Sequence, residues 1–342
     1  MENYLKIIAG FFAFLFIATT VLAFALYSVE RSAFDANLYI QALDEENVYQ
    51  RLPELAAKTL SIAAQNPNRN FLLGLFSNLS EDEWRTLIVN LLPPDVLRTL
   101  ANDAVIQVLN YLNGKGDVAI LSLSGLKAHL QSPEGVNAVY AMLKTQPDCT
   151  LEELTAMALN QQALTLCNPP DTFLVFDLRP VIESEIRATM SLLPDQVTIV
   201  SADANRLQNL RDLRALRLFM RLSPLLPLFF LLLITVLVVR SLRSWLTWWG
   251  YPLLAAGLAS MFVSAFSGPV AALTFQFFIR PVLPDIIPAA ILDVFRDLTA
   301  TIIRHALQPT LLLAGILAFV GLIMVVWTFL LQKGLPKNAM YR

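Results

Sequence analysis

Charge is scarce in this sequence. Only 15% of its 342 residues are Asp, Glu, Lys or Arg, 56% are hydrophobic, and the mean hydropathy is +0.57. A soluble domain carries about 25% charged residues, so a typical cytosolic domain and a basic nucleic-acid binder are both excluded. The net charge of −2 and pI near 5.8 offer nothing to a polyanion. Histidine and cysteine occur only twice each. His129 and His305 lie in separate segments, with no HExxH, CxxC or carboxylate–histidine grouping around them, so no metal site or His-based triad is expected. The sequence also lacks GxGxxG, a P-loop and GxSxG. Asn113-Gly114-Lys115-Gly116 is turn chemistry, because no strand-to-helix glycine loop surrounds it. No cofactor is expected, and the chain reads as a non-enzyme.

What is present is concentrated apolar sequence. Ile7 to Tyr27 is an uncharged run of 21 residues, about 31 Å as a helix and matched to a bilayer core of roughly 30 Å. Leu222 to Val239 is a second such run, Ser244 to Ile279 a third and Pro309 to Gln332 a fourth. The third exceeds one span. Trp245, Trp248, Trp249 and Tyr251 mark an interface belt at its start, and it should break at Ser267-Gly268-Pro269, leaving Val270 to Ile279 as an interfacial or re-entrant piece. Four spanning helices are expected. None carries an ionisable residue, which disfavours a self-contained proton or ion pathway. Small residues at Ser260, Ser264 and Gly268, and at Ala314 and Ala318, suit close helix packing or an oligomer contact. Residues 1–27 read as an uncleaved signal-anchor. A cleaved signal peptide is the alternative that Ala23-Phe24-Ala25 leaves open.

Lys6, Arg240, Arg243, Lys333, Lys337 and Arg342 fall in short segments on one side. The positive-inside rule makes that side cytoplasmic, with both termini and the tail 333–342. Residues 28–221 then form an extracytoplasmic domain, mainly helical, inserted between the first and second spans. Ser28 to Ala215 holds 23 acidic and 14 basic residues, a net −9, against +7 elsewhere. Both cysteines lie there. Cys149 and Cys167 read as a disulfide worth roughly 3 kcal/mol in the chain-entropy model, the alternative being two buried thiols. The segment between them must double back, with Thr150-x-x-Glu153 as a capping box and Asn160 near the turn.

Within this domain helices are expected over 35–43, 47–64, 94–113 and 183–193, with others opened by the capping box Ser80–Glu83 and by Ser132-Pro133-Glu134. The 94–113 helix carries an apolar face of Leu97, Leu100, Ala104, Val108 and Tyr111. Two short strands are read at 118–123 and 197–200. Ser124-x-x-Lys127 places a hydroxyl one turn from an amine, but its companion motifs are missing and helix capping is the plainer account.

Two flanking segments stand out. Arg211, Arg214, Arg217 and Arg221 share one face of a helix just before the second span. That face suits either lipid phosphates at the membrane surface or ordinary pairing with the acidic domain. The second is the outer segment 268–308, where Ile287, Ile291, Val294, Phe295, Leu298 and Ile302 trace an apolar stripe. It could cover the domain, lie on the bilayer or meet a partner. The three later spans and this segment make up residues 222–332.

One span, a large outer helical domain containing Pro147-Asp148-Cys149-Thr150 and Cys167-Asn168-Pro169-Pro170, then three spans: this order resembles a group of uncharacterised bacterial four-span integral membrane proteins. The resemblance implies a bacterial cell-membrane protein and brings no activity. The order is also similar to permeases that couple a cytosolic ATPase to an outer domain, but residues 268–308 depart from their short loop. The leading expectation is a non-enzymatic envelope protein that binds or scaffolds partners through its outer domain, in contact with the lipid bilayer. A permease-like subunit and an envelope hydrolase are the alternatives.

Overall fold

The computed structural model describes residues 2–64, 79–144, 146–151, 155, 167–168, 179–200, 206–283 and 289–333. Glu153, Asn160, the 169–171 part of the break after Cys167, Ile287 and the tail beyond Lys333 lie outside the described residues. Among the described residues the protein is mainly helical, with four helices long and apolar enough to cross a membrane and two short strands.

Helix α1 (Glu2–Ser32) runs well past the apolar stretch that opens it. A short turn leads to α2 (Ala36–Glu45), and Asn47 at φ 50° separates α2 from α3 (Val48–Ala64). Helix α4 (Glu81–Leu91) opens on the expected capping box: the Ser80 hydroxyl accepts from the Glu83 N–H, and the Glu83 carboxylate accepts from the Ser80 N–H at 2.7 Å. Helix α5 (Pro94–Leu112) follows and ends at Asn113-Gly114, where Gly114 takes φ 71°. Its apolar face is only half-buried, and Leu109 is its one buried side chain. Strand β1 (Ala119–Ser122) leads into α6 (Ser124–Leu130), then α7 (Pro133–Leu143) capped by Ser132. Helix α8 (Arg179–Leu192) precedes β2 (Gln196–Val200), which pairs antiparallel with β1, Ser122 opposite Gln196.

Helix α9 (Arg206–Leu222) is separated from α10 (Leu225–Val238) by a turn at Ser223-Pro224. Helix α11 (Leu242–Ala265) starts on Ser241, whose hydroxyl accepts from the Ser244 N–H. The expected break falls at Phe266, one residue earlier than the Ser267-Gly268-Pro269 reading. The chain turns there and resumes as α12 (Ser267–Thr274). Pro269 sits in that helix's first turn, where its missing N–H leaves no bond unmade. A π-helical turn (Phe275–Ile279) continues α12.

Helix α13 (Ala289–Lys333) corrects the sequence reading more substantially. The later part of the outer segment, from Ala289, and the fourth span are not separate elements but one helix of 45 residues passing through Pro309. Its length of about 67 Å is roughly twice a hydrocarbon core. Proline inside a helix removes one backbone bond and crowds the preceding turn. Here neighbouring side chains donate into that turn: Ser264 Oγ to the Leu307 carbonyl at 2.7 Å and Ser32 Oγ to the Ala306 carbonyl. The outer stripe also differs from expectation. Leu292 and Val294 are buried, while Phe295 is 55% exposed.

The chain divides into two compact units. Unit 1 comprises Met1–Ala42, Asp203–Pro284 and Phe295–Arg342, and unit 2 comprises Leu43–Ala202 with Asp285–Val294. Unit 2 holds two buried clusters, one around Trp84, Leu87 and Ile88 and one around Val136, Leu143 and Ile182. In unit 1, Phe16, Leu231, Ile234, Leu253 and Met324 form a core, and large apolar side chains point outward along α1, α10, α11 and α13.

Unit 1 is held by close backbone approach. A Cβ on Gly257 would lie 2.5 Å from the Ala318 nitrogen, and one on Gly321 would lie 2.4 Å from the Leu254 nitrogen. Ser260, Ser264, Ala314 and Ala318 are buried along the same seam, so the small residues seen in the sequence do bring helices together. Gly10, by contrast, faces open space, and a Cβ there would meet nothing within 4 Å. Replacing Gly321 with Ala should therefore destabilise the detergent-solubilised protein by about 1–3 kcal/mol through overpacking. Gly10→Ala should leave the thermal midpoint unchanged or raise it. Equal midpoints for Gly321→Ala and the parent would contradict this seam.

Candidate functional site at the end of the first helix

Of the four arginines singled out on α9, two are engaged. Glu30, with a side chain only 5% exposed, accepts from Arg217 Nε at 3.1 Å and from Arg221 Nε at 2.9 Å. The Arg217 guanidinium also lies over the Phe34 ring, 4.0 Å from its centroid. Arg211 and Arg214 are exposed. The apolar residues of α9 divide as well. Met220 is buried, whereas Leu216 and Phe219 are 53% and 67% exposed. The partner of the arginine face is therefore a carboxylate of unit 1 on the last turn of α1. Sequence reasoning missed Glu30, because a lone acid just beyond an apolar run has no spacing relation to residues almost 190 positions away. The usable signal was that same acid, unmatched by any nearby base except the adjoining Arg31.

A groove of about 760 Å³ opens between the end of α1 with the start of α2 and the residues of α13 around Pro309. Arg31, Asp35 and Gln41 line one wall and His305, Gln308 and Leu312 the other. Asp35 is fixed as the cap of α2, accepting from the Asn37 N–H at 3.0 Å. The walls are tied by a buried bond of 2.6 Å between the hydroxyls of Ser28 and Thr310 and by Ser32 on the Ala306 carbonyl. The groove is thus held open by bonds that do not involve its lining charges.

In unit 2 the sulfurs of Cys149 and Cys167 lie at disulfide distance, with Cα atoms 4.9 Å apart. Reciprocal backbone bonds brace the pair: Cys149 N–H to the Asn168 carbonyl and Asn168 N–H to the Pro147 carbonyl. Lys127 does not face Ser124 as a base. Its ammonium pairs with Asp195 and donates to the Leu193 carbonyl at 2.9 Å, pinning the entry to β2. Ser124 shares a hydroxyl contact of 2.9 Å with Ser122 and lines a cavity of about 590 Å³ with Asp95, Thr99 and Asp103. The expected serine cap is not formed: Leu123 occupies the N-cap of α6 with no side-chain capping bond, and Ser122, one residue before it, accepts from the Ser124 N–H at 3.4 Å. His129 touches the Asn90 carbonyl, and among the described residues no group of three metal-ligating side chains forms.

The proposed belt residues are partly turned inward. Trp245, Trp248 and Trp249 pack on the core of unit 1, with Trp249 Nε1 donating to Thr235 Oγ1 at 2.9 Å, and Tyr251 is exposed.

Glu30→Gln should lower stability by about 1–3 kcal/mol, because two arginines lose their shared charge-assisted acceptor. Adding Arg217→Gln should recover part of that loss in a double-mutant cycle read by thermal unfolding. Ser124→Ala should change stability by less than about 0.5 kcal/mol, as for other surface substitutions. Lys127→Met should cost no more than about 1 kcal/mol, because Asp195 is largely solvated. No family model matches the sequence, and comparison with curated proteins and with solved structures returns no match.

Proposed function

We propose that this is a multi-pass protein of the bacterial cell membrane, and that it binds or scaffolds envelope partners through unit 2 without catalysing a reaction. In this reading unit 2 faces outward, the 239–241 connection and both ends of the chain face the cytoplasm, and the chain belongs with the four-span proteins it resembles. The observation that carries the reading is the Cys149–Cys167 pair. A disulfide persists outside the cytosol and is reduced within it, so the unit that holds it belongs on the outer face. Arg240 and Arg243 agree. Both are exposed beside a connection of three residues between apolar helices, where positive charge is retained on the cytoplasmic side. The engagement of Lys127 by Asp195 supports a binding rather than a hydrolytic role, since Ser124 and Lys127 are not assembled as nucleophile and base.

A membrane-impermeant maleimide on intact cells should label Cys149 and Cys167 only after a reductant is added. A cysteine placed at Ser241 should react only after the cells are opened. Labelling of the native cysteines only after the cells are opened, with no effect of reductant, or of residue 241 in intact cells, would overturn the orientation. For the binding role, a photo-crosslinking residue at exposed Thr99 should give a discrete adduct in whole cells, and turnover of an envelope lipid or peptide by the purified protein would refute it.

A further inference from the structure

The geometry points to the groove at the end of α1 as a binding site for a zwitterionic phospholipid headgroup of the ethanolamine class. This rests on the reading that α1 and α13 cross a bilayer. Arg31 lies four residues beyond Tyr27, about 6 Å along the helix from the end of the first apolar run. Gln308 immediately precedes the apolar run that begins at Pro309. Both walls therefore pass from hydrocarbon to water at the same level, the depth of lipid headgroups. Below that level Leu312, 76% exposed, continues the groove with apolar surface suited to an acyl chain.

The charges in the groove choose among headgroups. Arg31 presents a guanidinium, whose planar fork matches a phosphate in two-point contact. Asp35 presents a carboxylate a few residues away, held by its bond to the Asn37 N–H. One cation and one anion complement a phosphate and an ammonium together. A glycerol headgroup would satisfy Arg31 and leave Asp35 facing net negative charge. Asn37, Gln41 and Gln308 add neutral donors and acceptors around them. The volume of about 760 Å³ is within the range of small-ligand sites. Because Ser28–Thr310 and Ser32–Ala306 fix the walls, little ordering cost falls on binding.

The test uses the full chain in detergent, delipidated and offered equal amounts of phosphatidylethanolamine and phosphatidylglycerol with matched acyl chains. Bound lipid is read by native mass spectrometry. The parent protein should retain the ethanolamine lipid about tenfold more, the scale of one charge-assisted contact. Asp35→Asn keeps a good helix cap and should abolish the preference. Arg31→Gln should lower retention of both lipids about tenfold. Glycerophosphoethanolamine, which has the headgroup but no acyl chains, should fail to compete at equal concentration. Equal retention of the two lipids by the parent, a preference unchanged in Asp35→Asn, or displacement by the chainless headgroup would each overturn the proposal. Cysteine labelling reads the orientation separately, so the site can fail while the membrane topology stands.

Discussion

The close approach of α11 to α13 is the contact on which the rest of unit 1 depends. With Gly257 against Ala318 and Gly321 against Leu254, the two backbones meet where a single methyl group would collide. Such a seam has only one workable register. Sliding either helix by a residue replaces glycine with a bulkier side chain at the point of contact. That register sets which carbonyls of α13 face the hydroxyl of Ser264, and so where the turn before Pro309 finds its extra donor. It also fixes the height of Thr310, to which Ser28 binds, and thereby the end of α1.

Glu30 solves a different problem. Helix α9 carries arginines within the stretch that leads into the second apolar helix, and exposed Leu216, Leu218 and Phe219 surround them. An unmatched guanidinium at such a place would be costly to desolvate. One buried carboxylate, shared by Arg217 and Arg221 and backed by the Phe34 ring, lowers that cost for both. The arrangement also leaves a division of labour along the helix. Arg217 and Arg221 hold structure, while Arg211 and Arg214 keep their charge toward the surroundings.

Much of the secondary structure was legible, because it is governed by local chemistry. The capping box at Ser80, the Ser132-Pro133 start and the Asn113-Gly114 stop each act within one helical turn, and each appears in place. The four apolar helices were legible for the same reason, as were the two short strands, though not their pairing. The misses share a cause of their own. The bonds that residues 32 and 264 make to the turn before Pro309, and the pairing of Glu30 with residues 217 and 221, join segments far apart in the chain. Neither has any signature in a window of sequence. The groove is likewise assembled from two segments nearly 270 positions apart, and nothing in Arg31 or His305 alone foretold it.

The unbroken course of α13 has a mechanical consequence. A helix is stiff along its axis, and some 20 residues, about 30 Å, precede Pro309. Proline is the one place in this rod where a backbone tie is missing. A change of tilt of about 10° at that point sweeps Ala289 through roughly 5 Å, given a rise of 1.5 Å per residue. The groove lies at this fulcrum, with His305 on one side of Pro309 and Leu312 on the other. Whatever fills it acts on the short arm of a lever whose long arm is most of a bilayer thickness away.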